Sequence, residues 1–347
     1  MKSSFFIGWD IGGANTKVCV FDKEFNIIEI KSKNINVWKN FKKLNDYFHE
    51  ISNQYNNYNI QNFITITAES CDNFDNRRSG IISIIENCNL NIYGSKLFYS
   101  NNGKYLKYDE ALLNPDSLFS TNWMLTLKYL NTLEDINLII DVGSTTTDII
   151  YKNMSIEENI DDHKRLANNT LFYAGVIRTP LPMLINKVSF FSKEMSLVNE
   201  VFSTTGDIFN VTNDIDFDQL DYIGADSLNY TKKNSYMRIA RSLGLDYKNE
   251  IKTEIIDMSY TIKNNLIDTI YEKIKLLFNN NIGDIKLLPI GEGNFLIKEL
   301  ALKYNLKYFS LKNSDFFSNK KINENILNKS FTAVLVVKNY FINNGNL

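Results

Sequence analysis

The chain has 347 residues, more than a single compact core accommodates, so two domains are expected. Its 38 basic and 40 acidic residues balance with no long block of one sign, which argues against a nucleic-acid surface, because phosphate-backbone binding needs a basic stripe. Cys19, Cys71 and Cys88 lack CxxC spacing and fit the reduced thiols of a cytoplasmic protein. No apolar run approaches membrane-spanning length, and Met1-Lys2-Ser3-Ser4 leads into the first expected strand with no signal peptide.

The stretch Phe5–Val20 reads FFIGWDIGGANTKVCV. It is an apolar strand ending in Asp10, a turn through Gly12, Gly13, Ala14, Asn15 and Thr16, and a second apolar strand that begins at Lys17. Asn26–Lys33 supplies a third strand. Val37–Tyr55 has the spacing of an amphipathic helix, with Phe41, Leu44, Phe48 and Ile51 on one face. Asn62–Thr67 alternates as a strand and runs into Ala68-Glu69-Ser70-Cys71-Asp72. A helix over Arg77–Asn87, a strand over Ile92–Ser100 and a helix over Leu118–Leu130 complete a first α/β domain, residues 1–133.

The expected second domain, residues 134–330, opens with Leu138–Tyr151, LIIDVGSTTTDIIY, which repeats the first motif. Here Asp141 closes the strand, Gly143, Ser144, Thr145 and Thr146 make the turn, and Asp148 lies in the return strand. Small residues Ala174 and Gly175 precede Arg178-Thr179-Pro180, and the more polar, aromatic stretch 198–249 reads as an inserted subdomain. The longest helix is expected over Glu254–Asn279, where Ile255, Ile262, Leu266, Ile270, Ile274 and Leu277 recur every three to four residues. Strand Lys286–Ile290 then breaks into Gly291-Glu292-Gly293, with a helix over Phe295–Tyr304. A last helix within 331–347 is expected to pack back on the first domain.

Glycine lets backbone N–H groups converge without a Cβ in the way, so each of the two matched turns is a candidate anion nest. Asp10 and Asp141 do not themselves attract an anion, and a hard divalent cation such as Mg²⁺, or a water, is expected between carboxylate and phosphate, with Asp72 as a further oxygen ligand. Thr16, Thr145 and Thr146 either donate to phosphate or simply suit strands. Lys17, Arg77 and Arg178 either face an anion or make ion pairs, and Asp148 either serves as a base or caps its hairpin. Arg238 and Arg241 lie three apart on an expected helix, which puts one of them at the surface. His49 and His163 have no partners for a catalytic triad or a histidine metal site.

Two strand–Asp–Gly-turn–strand hairpins followed by a strand–Gly-x-Gly–helix resemble the actin, sugar-kinase and Hsp70 (ASKHA) superfamily. That resemblance implies a two-domain actin-like ATPase fold of ribonuclease H-like α/β type, with two phosphate-binding hairpins flanking a cleft and Gly291 and Gly293 beside a nucleoside. Smaller blocks narrow it: Thr67–Phe74 with Arg77 and Gly80, Trp9–Lys17, Asp141–Ile149, Tyr173–Pro180 and Arg238-Ile239-Ala240-Arg241. They are similar to the hydantoinase/oxoprolinase-like group of tetrahydromethanopterin-linked C1-transfer proteins, whose archaeal members are methanofuran-biosynthesis synthases. The resemblance implies an alkyl transfer in which the phenol oxygen of γ-glutamyltyramine displaces diphosphate from an aminomethylfuran-methanol diphosphate, forming an aryl ether. Glu69 or Asp148 is then the candidate proton acceptor, and Asp10 stands with them as catalytic through its cation. Ser70 and Arg77 depart from the Leu and Lys of that group, and the acidic Glu292 leaves open whether ATP is bound. An ATP-dependent small-molecule kinase or a hydantoinase-like hydrolase is the alternative on the same fold, and either reading calls for small-molecule substrates only.

Overall fold

The structure is a computed structural model that describes residues 4–217, 220, 222–311 and 322–344. In chain order its elements are β1 (Ser4–Gly12), β2 (Asn15–Phe21), β3 (Ile27–Asn34), α1 (Phe41–Tyr55), β4 (Asn59–Thr67), α2 (Arg77–Asn91), β5 (Ser95–Tyr99), β6 (Tyr105–Leu106), α3 (Tyr108–Leu113) and α4 (Asn122–Thr132). There follow β7 (Leu138–Val142), β8 (Thr147–Tyr151), α5 (Asp162–Ala167), β9 (Leu171–Phe172), α6 (Leu181–Leu184), β10 (Lys187–Phe190), β11 (Lys193–Ser196), α7 (Thr205–Val211) and α8 (Lys232–Ser242). The chain then runs through α9 (Lys252–Leu277), β12 (Lys286–Ile290), α10 (Asn294–Lys303), β13 (Lys307–Tyr308), α11 (Glu324–Lys329) and α12 (Phe331–Asn343).

Packing divides the chain into two units. Unit 1 comprises Met1–Ile139, Ile150–Thr170 and Phe309–Leu347; unit 2 comprises Ile140–Ile149 and Leu171–Tyr308. The units interleave along the chain and do not follow one another as 1–133 and 134–330. The stretch 198–249, read as an insertion, holds α7 and α8, and both pack on α9 within unit 2.

Unit 1 is built on a six-stranded sheet in the order β3-β2-β1-β4-β5-β6, with β1 and β4 parallel. Strand alternation sends Ile7, Trp9 and Ile11 to the face covered by Leu44, Phe48 and Ile51 of α1 and Ile81, Ile84 and Ile85 of α2. Helix α1 starts where the Asn40 side chain accepts from the Lys43 N–H, and α2 where Asn76 and Ser79 cap one another. The opposite face of β1 is closed by α12, whose run FTAVLVVKNYFIN is apolar on nearly every side, as a fully packed helix must be. A Cβ on Gly8 would lie 1.9 Å from the Ala333 carbonyl oxygen, so the strand and the helix meet at backbone distance. Phe6 packs on Phe341 at 4.6 Å between ring centres, and the Tyr105 hydroxyl donates to the Val336 carbonyl.

Unit 2 carries most of a five-stranded sheet, order β13-β12-β7-β8-β9, and the ribbon β10-β11. Helix α9 buries Ile255, Met258, Ile262, Leu266, Ile270 and Ile274 at the spacing the sequence shows. Its buried Lys263 is held by Asp214 and Glu299, each at 2.7 Å. Among the described residues no helix is long and apolar enough to cross a membrane.

Candidate functional site

In unit 1 the chemistry gathers at the end of β1. Register pairs Asp10 with Lys17 of β2 and with Thr65 of β4. Lys17 Nζ lies 2.8 Å from Asp10 Oδ2, while Asp10 Oδ1 is buried and accepts no hydrogen bond among the described residues. Thr16 pairs with Ile11, so alternation turns its hydroxyl to the α1/α2 face, away from Asp10 and Lys17. The turn between the strands is tight: a Cβ on Gly12 would meet the Asn15 carbonyl at 2.8 Å, and one on Gly13 would meet Cys71 Sγ at 2.9 Å. Asn15 is buried beneath it.

Glu69 follows β4 and is 1% exposed. Ser120 Oγ donates to its Oε1 at 2.8 Å, and Arg77 Nη2 approaches the same oxygen at 3.6 Å. Glu69 Oε2 is buried with no hydrogen-bond partner among the described residues. Burial pushes the Glu69 carboxyl above its ordinary range; hydrogen bonds from the backbone and Ser120, then the charge of Arg77, oppose the rise, and Asp162 adds to it. The Arg77 guanidinium lies 4.4 Å over the Phe119 ring. Thr121 ties the same loop to Thr65 at 3.0 Å and to the Tyr99 carbonyl at 3.2 Å. Asp72 is exposed in the loop after Glu69.

In unit 2 the second turn is clasped by the segment Ala174–Arg178. The N–H groups of Val176, Ile177 and Arg178 donate to the carbonyls of Gly143 and Ser144 at 3.0, 3.1 and 2.9 Å. The Thr147 hydroxyl donates to the Ala174 carbonyl at 2.7 Å. Gly175 is forced by this contact, because its Cβ would lie 2.4 Å from Thr145 N and 2.6 Å from the Gly143 oxygen. Gly143 is different. Its nearest protein atom to a Cβ is the Thr146 oxygen at 3.5 Å, an ordinary contact, so the chain itself does not demand glycine there. Thr145 and Thr146 are half-buried, Asp141 and Asp148 likewise, and Arg178 is exposed.

The Gly291-Glu292-Gly293 turn packs on the end of β7. Gly291 has φ +85°, and its Cβ would lie 2.3 Å from Asp141 Oδ1; the Gly293 N–H donates to the Val142 carbonyl at 2.8 Å. Both glycines are thus required by the fold itself. Glu292 accepts from the Tyr222 hydroxyl through both oxygens, at 3.2 and 3.1 Å. Arg238 of α8 has no exposed side-chain surface, pairs with Asp207 at 2.7 Å and Asp226 at 2.9 Å, and lies over the Tyr230 ring; Arg241 is the surface member of that pair. His49 and His163 are both exposed.

Among the described residues no group of three or more His, Cys, Asp or Glu side chains gathers at metal-binding spacing. Magnesium is commonly held by one or two carboxylates, with water and phosphate filling the remaining positions. Asp10 fits that mode, since its buried Oδ1 is a hard oxygen with no partner in the protein.

The sequence pointed to Asp10, Lys17, Glu69 and Arg77 as site residues. It did not point to Phe119, Ser120 and Thr121, which reach Glu69 and β4 from some 50 residues away with no local motif.

Two strand–Asp–Gly-turn–strand hairpins and a Gly-x-Gly turn set against the second of them define the actin-like ASKHA fold class. A nucleotide-free acetone carboxylase structure shares that fold at a TM-score of 0.50 and 8% identity, over 85% of this chain and 66% of that one, just under two thirds of its length. The hydantoinase/oxoprolinase family model matches residues 62–319, and the chain belongs to that family. A (4-{4-[2-(gamma-L-glutamylamino)ethyl]phenoxymethyl}furan-2-yl)methanamine synthase of Methanocaldococcus jannaschii is 29% identical over 303 residues, 86% of this chain and 89% of the relative. A synthase of the same name from Methanococcus vannielii is 34% identical over 165 residues, 47% of this chain and 73% of the relative.

Proposed function

We propose that this protein is a transferase of methanofuran-type C1-carrier biosynthesis that forms an aryl ether with loss of diphosphate. The similarity to the Methanocaldococcus synthase across 86% of the chain supports the substrate class. The geometric observation that carries the chemistry is Glu69, a buried carboxyl with one oxygen held and the other without a partner. The phenol oxygen of γ-glutamyltyramine bonds to the CH₂ carbon of the aminomethylfuran-methanol diphosphate. The C–O bond to diphosphate breaks with its electron pair on the leaving group, and the phenol proton passes to Glu69. Burial favours the neutral carboxylic acid, so proton uptake there is easier than at a solvated carboxylate.

Taken by itself, the Gly143 turn of unit 2, where a Cβ would meet only Thr146 O at 3.5 Å, is a candidate backbone cradle for a phosphate group. In unit 1 the Lys17 ammonium, paired with Asp10, contributes positive charge toward a phosphate group. A Mg²⁺ ion, when bound, would neutralise charge developing on the diphosphate, and Asp10, through its buried Oδ1, would hold it. The site reads as one for small molecules in a cytoplasmic enzyme.

The decisive assay combines the two substrates with and without ATP and follows pyrophosphate, orthophosphate and the ether by mass spectrometry. Pyrophosphate released in step with ether, without ATP, is the expected result. Orthophosphate released from ATP, with no ether formed, would replace this reading with a kinase or hydrolase.

A further inference from the structure

We propose that Ser120 is a positioning residue that holds one oxygen of Glu69 and thereby presents the other, Oε2, as the proton-accepting atom. The inference rests on the reading of Glu69 as the base and adds which atom acts and what aims it.

Both side-chain contacts of the Glu69 carboxyl fall on one side. Ser120 Oγ donates to Oε1 at 2.8 Å and Arg77 Nη2 stands 3.6 Å from the same atom. Oε2 lies inside the protein with no partner among the described residues, although an unsatisfied buried acceptor is costly to keep. The Ser120 bond engages Oε1, which leaves Oε2 as the oxygen with a lone pair to spare for a proton.

The loop that carries Ser120 is built to hold that one hydroxyl. Ser120 has φ +46°, a left-handed conformation uncommon outside glycine and typical of strain kept at functional positions. Its neighbours fix the loop from either side. Phe119 carries the Arg77 guanidinium on its ring at 4.4 Å, and Thr121 is bonded to Thr65 and to the Tyr99 carbonyl. Arg77 is thereby placed beside Oε1 by the residue next to the one that bonds Oε1. The charged groups facing Glu69 are Arg77 of α2 and Asp162 at the start of α5, which act in opposite directions.

During transfer the proton of the attacking hydroxyl moves to Oε2, converting carboxylate to carboxylic acid, as the new C–O bond forms and diphosphate departs with the old bond's electrons. Oε1 keeps its bond from Ser120 throughout, so the carboxyl does not have to reorient.

Ser120→Gly is the test, because glycine suits the backbone angle while the hydroxymethyl group that bonds Glu69 is lost. The thermal midpoint should stay at or above wild type. The Ser120 hydrogen bond favours the charged form of Glu69, so its loss should move the acidic limb of the kcat profile to higher pH. Below the limb kcat should fall on the order of 10-fold, and above it kcat should stay below wild type, because Oε2 is no longer held in place. Infrared titration of the free enzyme reads the same group without turnover: the carboxyl band missing in Glu69→Gln should titrate at higher pH in Ser120→Gly. An unmoved limb and an unmoved titration, or wild-type kcat above the limb, would overturn the role of Ser120 while leaving Glu69 as base. Wild-type kcat in Glu69→Gln would overturn the base assignment and this inference with it.

Discussion

The contrast between Gly143 and Gly175 separates what the turn needs for folding from what it needs for its ligand. Gly175→Ala would place a Cβ 2.4 Å from Thr145 N, 2.5 Å from Ser144 C and 2.6 Å from Gly143 O. Carbon atoms settle at about 3.5–4.0 Å from their neighbours, so backbone on both sides must move by roughly 1 Å. Overpacking of that kind costs about 1–3 kcal/mol, which in a unit of this size lowers Tm by roughly 2–12 °C. Gly143→Ala meets only Thr146 O at 3.5 Å and should change stability by less than about 0.5 kcal/mol. If diphosphate lies against that backbone, however, the methyl group displaces a charge-assisted hydrogen bond of about 1.5–3 kcal/mol, or roughly 10- to 150-fold in Kd. Calorimetric titration with magnesium pyrophosphate, run beside thermal denaturation, reads both quantities. Gly175→Ala should lose stability and binding together, and Gly143→Ala binding alone. Tight pyrophosphate binding by Gly143→Ala at an unchanged Tm would refute the diphosphate cradle.

Glu69→Gln should abolish the acidic limb of the pH profile and regain part of its rate as pH approaches the phenol's own ionisation. Burial raises the folded carboxyl above its unfolded value, so its stabilising contribution is complete below the unfolded pKa and is lost as pH rises through the folded one. Removing the charge should therefore raise Tm at neutral pH, and a lower Tm there would contradict the sign. Asp10→Asn should cut kcat by about 10²–10³, the usual cost of one electrostatic contact to a developing charge. Added magnesium should restore part of that loss, whereas alkali should not; full wild-type turnover in excess chelator, with metal removal verified, would remove the ion from the mechanism. Arg238→Met should destabilise the fold by about 3–5 kcal/mol, because it strands the buried Asp207 carboxylate. Denaturant titration with a midpoint equal to wild type would show that the pair carries no such load.

The fold was legible wherever local pattern and tertiary role coincide. Helix α9 was read as Glu254–Asn279 and spans Lys252–Leu277, because its buried residues recur at helical spacing over its whole length. The hairpins were visible because a strand, an acid and glycines stand in fixed order, and twice. Ser120 was not visible, since its partner Glu69 lies 51 residues away and the expected helix over Leu118–Leu130 took it in, whereas α4 starts only at Asn122. Thr16 was open between phosphate donor and strand residue, and only the register with Ile11 shows which face it serves. Gly291 and Gly293 were read as candidate nucleotide contacts, and what the sequence could not show is that a Cβ at either would meet Asp141, Val142 or Val176 of the same unit. Arg238 carried no sign in the sequence that both its partners would be interior or near-interior acids.

The meeting of β1 with α12 fixes when this protein can be finished. Gly8 touches Ala333, so the strand that leads to Asp10 is synthesised long before the helix that covers it. Until Phe331–Asn343 appears, the face of β1 at Gly8 lacks its cover and the rings of Phe6 and Phe63 lack their partner Phe341. Contacts of such long sequence separation close slowly and leave apolar strand surface open to wrong partners. Nascent chains of this protein should therefore depend on chaperone shelter until Phe331–Asn343 is made, and a ribosome stalled before Phe331 should yield a species that aggregates through its six-stranded sheet.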